Sequence, residues 1–249
     1  MSPWMICNIA KPSLWPCNNG LDFDHPLTLP QENQVTHRKV LIAGATGLVG
    51  SQILQRLLQD NTVSEIHLLS RRALALQHPK LHLHQVDFST LPTLPPLDEI
   101  YLALGTTIKQ AGSRQAFEAI DLDANLAVAN AGLTAGAKRL GLVSAMGANV
   151  DSLLFYNRIK GELEAELSTL PFEALVIARP SFLLGDRETL KQPQRRAEKL
   201  GIAMFKLLAP LLPKHLRAVE ASKVAACLAT LVPVASGEQV ILSGDIQHY

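Results

Sequence analysis

The sequence predicts an α/β fold: a parallel sheet with helices against both faces. Three observations carry that expectation. From Arg38 onward, apolar runs of strand length alternate with helical patterns, the order that lays strands side by side and sends each crossover over the sheet. The apolar run Val40-Leu41-Ile42-Ala43 passes directly into Gly44-Ala45-Thr46-Gly47-Leu48-Val49-Gly50, which reads as a buried strand, a tight glycine turn and the start of a helix. The 249 residues are 47% hydrophobic, enough for one large domain with its own core.

Taken in order, residues 1–37 stand apart. Pro3, Pro12, Pro16, Pro26 and Pro30, together with Asn18-Asn19-Gly20, interrupt any period, so this stretch is expected to be an irregular N-terminal extension of a domain at 38–249. Within the domain, apolar strands are expected at 39–43, 65–69, 81–86, 99–104, 140–143, 174–177 and 239–242. Helical patterns lie between them at 48–59, 114–135, 154–167, 196–208 and 221–231. Residues 91–96, with Pro92, Pro95 and Pro96, read as a loop before the fourth strand. The chain carries no internal repeat and no low-complexity tract.

Bulk properties exclude several function classes. A net charge of +1 and the lack of a reading motif disfavour nucleic acid as a partner. Cys7, Cys17 and Cys227 form no C-x-x-C pair, which argues against a disulfide framework or a zinc site and for a reducing, cytoplasmic setting. No apolar run reaches the roughly 18 residues a membrane span needs. The nearest, 200–212, is interrupted by Lys206 and Pro210. The first residues lack the basic and apolar regions of a secretory signal, so a soluble protein with no transmembrane segment is expected.

The glycine turn is the first candidate site. Backbone N–H groups at a helix N-terminus bind a pyrophosphate, and glycines let the backbone approach it. Gly44, Thr46, Gly47, Leu48, Val49 and Gly50 are therefore candidate dinucleotide contacts, although G-x-x-G-x-x-G is wider than the G-x-G-x-x-G fingerprint. At the end of the second strand, where an acidic residue would hold the ribose hydroxyls of NAD, the chain has Ser70-Arg71-Arg72. Two guanidinium groups attract a ribose 2′-phosphate, so NADP(H) is favoured over NAD(H); the alternative is a solvated arginine pair. Asp87-Phe88 follows the third strand, where the carboxylate either meets the adenine amine or forms a turn. Leu104-Gly105-Thr106 closes the fourth strand with small residues against which a ribose would lie.

The candidate catalytic set is Ser144, Tyr156 and Lys160. Tyr156 and Lys160 are four residues apart on an expected helix, hence on one face. An ammonium near a phenol favours the phenolate and prepares Tyr156 for acid or base work near neutrality. Ser144 ends the fifth strand, where its hydroxyl would hold a substrate carbonyl or alcohol.

From Val40 to Leu242 the chain resembles the short-chain dehydrogenase/reductase superfamily, whose fold is a Rossmann-type doubly wound parallel sheet. Its G-x-x-G-x-x-G turn looks like the extended and atypical branches. Gly44-Ala45-Thr46-Gly47, Leu68-Leu69-Ser70-Arg71-Arg72, Leu104-Gly105-Thr106-Thr107, Val143-Ser144-Ala145-Met146-Gly147-Ala148, Tyr156-Asn157-Arg158-Ile159-Lys160-Gly161-Glu162 and Arg179-Pro180-Ser181-Phe182-Leu183-Leu184-Gly185 are most similar to the Tat-interacting-protein-like subgroup. The resemblance implies that Ser144 orients substrate, that Tyr156 exchanges a proton and that Lys160 also holds the nicotinamide ribose. Pro180, Ser181 and Phe182 would line the nicotinamide side. It also implies hydride transfer to or from a carbonyl or alcohol carbon. The sequence departs from the family where many members have an Asn that supports a proton relay: Asp121 stands there, with Asn125 one turn later.

Residues 185–219 are expected to form the substrate-side segment. Its basic residues include Arg195, Arg196, Lys199, Lys206, Lys214 and Arg217, interleaved with an apolar set. It reads as a core-packing helix with a solvated basic face, as a lid over an apolar substrate, or as a surface at 195–217 for anionic lipid or a protein partner. Two function classes follow: a reductase or dehydrogenase on a small-molecule substrate, and a cofactor-binding regulatory or assembly protein with little turnover. A sugar-nucleotide epimerase is a further alternative, for which the segment is short.

Overall fold

The computed structural model describes residues 37–184 and 218–249. The expected extension at 1–37 apart from His37, the helix at 196–208 and nearly all of the substrate-side segment lie outside the described residues.

The elements run β1 (Arg38–Ala43), α1 (Leu48–Gln59), β2 (Val63–Ser70), β3 (Leu81–Gln85), β4 (Glu99–Leu102), α2 (Ile108–Ala111), α3 (Arg114–Glu118), a π-helical turn (Ala119–Asp123), α4 (Ala124–Thr134), β5 (Arg139–Val143), α5 (Phe155–Thr169), β6 (Ala174–Arg179), β7 (Leu183–Leu184), β8 (Val219–Glu220), α6 (Ala221–Leu231), β9 (Gly237–Leu242) and α7 (Ser243–Ile246). Seven strands form one sheet in the order β3-β2-β1-β4-β5-β6-β9, every pairing parallel. This is the Rossmann-type doubly wound sheet the alternation predicts. Its order reverses between β1 and β4, so the crevice at their carboxyl ends is the position where such sheets bind ligands. The pair β7 and β8 forms a separate two-stranded sheet.

The central strands are apolar between charged end residues (Arg38, Lys39, Glu99, Arg139 and Arg179) because both faces are covered. On one face Val49, Ile53 and Leu57 of α1 and Val224, Ala225 and Leu228 of α6 pack on β1, β2 and β6. On the other, Val128 and Ala129 of α4 and Leu163 and Leu167 of α5 pack on β1, β4, β5 and β6.

Two expectations change. The helix expected at 114–135 is broken by the π turn: the Ala124 N–H reaches back five residues to the Ala119 carbonyl. The Asn125 amide donates to the carbonyls of Ile120 and Asp121, both at 3.2 Å, so a side chain takes up backbone acceptors within the widened turn. Ile108–Ala111 is a short helix, capped by the Thr107 hydroxyl and ended by Gly112 at φ 90°. The crossovers at 71–80 and 86–98 contain no helix, in keeping with the loop expected at 91–96.

Candidate active site

The cofactor turn is built from the backbone. Gly44 has φ +92°, and a Cβ there would lie 2.3 Å from the Ala103 carbonyl oxygen; a Cβ on Gly50 would lie 2.1 Å from that of Gly44. Only glycine lets β1, the turn and the end of β4 approach this closely. Gly47 is the N-cap of α1 with no capping side chain. Thr46 is in the turn, Leu48 is half-buried and Val49 is buried, so Leu48 and Val49 would contribute backbone N–H groups to an anion. A cradle that a Cβ would fill, at an uncapped helix N-terminus, fits a dinucleotide pyrophosphate.

Ser70 closes β2, and its hydroxyl accepts from the Arg72 N–H at 3.2 Å, turning the chain there. Arg71 and Arg72 are exposed, and neither forms an ion pair among the described residues. Asp87 is exposed and takes the turn-forming part: its Oδ1 accepts from the Ser89 N–H at 3.0 Å. Hydrogen bonds from the Ser89 backbone and hydroxyl hold its carboxyl below the usual range. Phe88 is half-buried against the core.

At the carboxyl end of β4, Leu104, Gly105 and Thr106 meet the π turn. Thr106 N–H donates to Asp121 Oδ2 at 2.8 Å, and the Asn125 amide reaches the Leu104 carbonyl at 3.5 Å. Asp121 Oδ1 lies 2.7 Å from Lys160 Nζ, both side chains buried. A Cβ on Gly105 would sit 3.5 Å from Asp121 Oδ1 and 3.9 Å from Lys160 Nζ. The position with Asp in place of Asn is thus a buried countercharge for Lys160.

Tyr156 and Lys160 share one face of α5, and the Tyr156 ring, 36% exposed, packs 5.6 Å from that of Phe117. Burial pushes the Tyr156 phenol up, Lys160 pulls it down and Asp121 pushes it up again, leaving it above its ordinary value of 10.0. Lys160 therefore acts in the expected direction but does not prevail, because Asp121 offsets its charge and burial disfavours the phenolate.

Ser144 is buried at the end of β5, and its hydroxyl donates to Glu164 Oε1. Glu164 is held in turn by Arg179, whose Nε lies 3.1 Å from both carboxylate oxygens and whose Nη2 is 2.5 Å from Oε2. Hydrogen bonding to Glu164 pushes the Arg179 guanidinium above its ordinary value. Sequence reasoning missed Glu164. A signal was present: Tyr156, Lys160 and Glu164 recur at four-residue spacing, so they lie along one stripe of α5.

Pro180 is buried and its carbonyl accepts from the Met146 N–H at 2.8 Å, tying the segment after β6 to the segment after β5. Ser181 accepts a hydrogen bond from the Ser243 hydroxyl at 2.9 Å, and Phe182 is exposed. The ring of Phe182 stands outside the packed interior.

Comparison with known proteins agrees with this geometry. Residues 40–149 match the model of the NAD dependent epimerase/dehydratase family. The chain is 31% identical over 223 residues to Protein HTATIP2 of Rattus norvegicus, covering 87% of this chain and 90% of that one. It is 36% identical over 152 residues to Protein FMP52, mitochondrial, of Eremothecium gossypii, covering 60% and 68%. Among solved structures, the Bordetella bronchiseptica enzyme WbmH in complex with NAD+ shares the fold, with a TM-score of 0.61 at 15% identity over 84% of this chain and 76% of that one.

The FMP52 relatives overturn the expected cytoplasmic localisation, since they are named as mitochondrial and point to that compartment. The cysteine spacing argues only against a disulfide framework, and that does not distinguish one reducing compartment from another. Among the described residues no helix is long and apolar enough to cross a membrane. The fold, the glycine cradle and the relatives agree: the chain belongs to the family of HTATIP2, and its residues 40–149 carry the pattern of the NAD dependent epimerase/dehydratase family.

Proposed function

We propose that the protein is an NADP(H)-dependent oxidoreductase acting on a small carbonyl or alcohol, with Tyr156 as the proton donor or acceptor. The observation that supports this reading best is the set at the carboxyl end of the sheet: Tyr156 and Lys160 on one face of α5, with the Lys160 ammonium 2.7 Å from Asp121. When bound, the cofactor would supply or accept the hydride. The amides after Gly44 would hold its pyrophosphate, and Arg71 and Arg72 its 2′-phosphate. Asp87 and Phe88 would flank the adenine. Gly105, Thr106 and Lys160 would border the ribose, and Pro180, Ser181 and Phe182 the nicotinamide side.

The hydrogen bonding of Ser144 sharpens its role. A hydroxyl has one proton, and here it goes to Glu164. Ser144 is left as an acceptor, so it would orient an alcohol O–H rather than donate to a carbonyl. The mitochondrial relatives support mitochondria as the place of action.

A second reading, a regulatory protein whose NADPH occupancy alters partner binding, draws support from the raised Tyr156 phenol, a slow acid–base group near neutrality. Titration with NADPH and NADH, followed by a carbonyl screen for NADPH consumption, separates the readings. NADPH should bind about 10- to 100-fold more tightly than NADH, and changing both Arg71 and Arg72 to Ala should erase the difference. Equal affinities would remove the role given to the arginines. Tight NADPH binding with no turnover on any carbonyl would favour the regulatory reading.

A further inference from the structure

The edge formed by β2 and β3 carries groups that the proposed reaction does not use. Alternation along β2 puts Glu65 and His67 on one face, and the parallel register sets His67 beside His82 and Leu69 beside His84 of β3. Three imidazoles and a carboxylate thus share a face, next to crossovers that form no helix. His67 is buried; its Nε2 is 3.3 Å from Glu65 Oε2 and its Nδ1 is 3.0 Å from His84 Nε2. The His82 ring stacks on it with centroids 4.8 Å apart. One donor atom from each of Glu65, His67 and His82 lies within 4.8 Å of the others.

We propose that Glu65, His67 and His82 form a binding site for a divalent d-block metal ion of the zinc class, with His84 as the outer partner of His67. Two imidazoles and a carboxylate suit zinc, nickel or copper(II), whereas magnesium and calcium take oxygen donors. A tetrahedral ion about 2.0–2.1 Å from its ligands separates them by roughly 3.4 Å. Glu65 and His67 already have that spacing at 3.3 Å, and exposed His82 closes the remainder by side-chain rotation. The ion would take the place of the proton between His67 Nε2 and Glu65 Oε2. Nδ1–H would then donate to His84 Nε2, which fixes the ring as outer partners of metal-bound histidines do.

The surrounding charges are compatible with this occupancy. Burial outweighs the Glu65 hydrogen bond and holds His67 below its ordinary value, with His82 and His84 adding to the same effect, and burial lowers His84 as well. Lys39 Nζ sits 2.8 Å from Glu65 Oε1, leaving Oε2 for the ion. A water would complete the coordination.

The test is titration of the full, tag-free, chelator-stripped chain with Zn2+ by calorimetry and with Co2+ by visible absorption. One equivalent should bind, with the Co2+ spectrum of a tetrahedral site, and Zn2+ should raise the midpoint of thermal unfolding. His82→Gln should weaken binding about tenfold or more, and His84→Gln about tenfold. Glu65→Gln should also weaken it. His82 is exposed, so its variant should keep the metal-free unfolding midpoint. Absence of binding would overturn the proposal, and so would binding unaffected by both His82→Gln and Glu65→Gln.

Discussion

The two ends of the central sheet each bring together a cation, a carboxylate and a tyrosine, and they differ in how far the tyrosine is covered. At the amino end, Arg38 Nη1 meets both oxygens of Glu99 at 2.8 and 2.6 Å, and the Tyr101 hydroxyl donates to Glu99 at 3.1 Å. At the carboxyl end, Lys160 meets Asp121, and Tyr156 stands one helical turn before Lys160. Tyr101 is 0% exposed and Tyr156 is 36% exposed. Burial first, then the Glu99 charge, push the Tyr101 phenol well above its ordinary value. The phenol of Tyr156 is raised by the same kind of forces, although the residue is partly exposed. The same three kinds of group therefore make a sealed joint at one end and leave a partly exposed tyrosine at the other. The end of a parallel sheet at which they sit makes the difference, because ligands bind at the carboxyl end.

The largest test of this contrast is removal of each hydroxyl. Tyr156→Phe should lower turnover about 10²- to 10⁴-fold while sparing NADPH affinity. Tyr101→Phe should leave turnover intact and reduce stability by about 1 kcal/mol in urea unfolding. Similar turnover in the two variants would erase the distinction between the two ends.

Next comes the amino-end ion pair. Glu99→Ala removes one of the two carboxylates paired with the largely buried Arg38 guanidinium and leaves Asp60 on the other, so urea unfolding should show a loss of about 2 kcal/mol with activity per folded molecule unchanged. A loss near zero would mean that the pair is not structural.

Asp121→Asn keeps an acceptor for the Thr106 N–H and removes the negative charge beside Lys160. Since Asp121 raises the Tyr156 phenol, the pH profile of kcat/KM should move to lower pH. An unmoved profile would separate Asp121 from the proton step.

The smallest effect concerns Asp60. Its burial opposes ionisation but is outweighed by hydrogen bonds from Thr62 and by the charges of Arg38 and Lys80, so its carboxyl lies below the ordinary value of 3.8. The stabilisation is complete above that value and is lost as pH falls through the lower folded-state value. Urea midpoints should therefore fall more steeply below about pH 4 in the parent than in Asp60→Asn.

Much of the fold was legible because its signals are local. Leu48–Gln59 and Ala221–Leu231 have the bounds their patterns predict, and the glycine turn follows β1 directly. The spacing of Tyr156 and Lys160 placed both on one helical face before any packing was known. The π turn was not legible, because it depends on the Asn125 amide bonding to carbonyls within the helix itself. The tie of Ser144 to Glu164 spans 20 residues, and no periodicity connects them. Nor could the histidines of β2 and β3 be matched without the register that pairs His67 with His82.

By itself, the sequence determined the alternation of strands and helices, the cradle at Gly44 and the tyrosine–lysine face. These rest on short-range hydrogen bonding, backbone sterics and apolar periodicity, which act over a few residues. Only the tertiary structure decided which charges neutralise one another. Arg38 and Glu99 are 61 residues apart, and their pairing exists only because β1 and β4 lie side by side. The countercharge of Lys160 likewise depends on packing, since α5 must lie against the π turn before Asp121 can reach it.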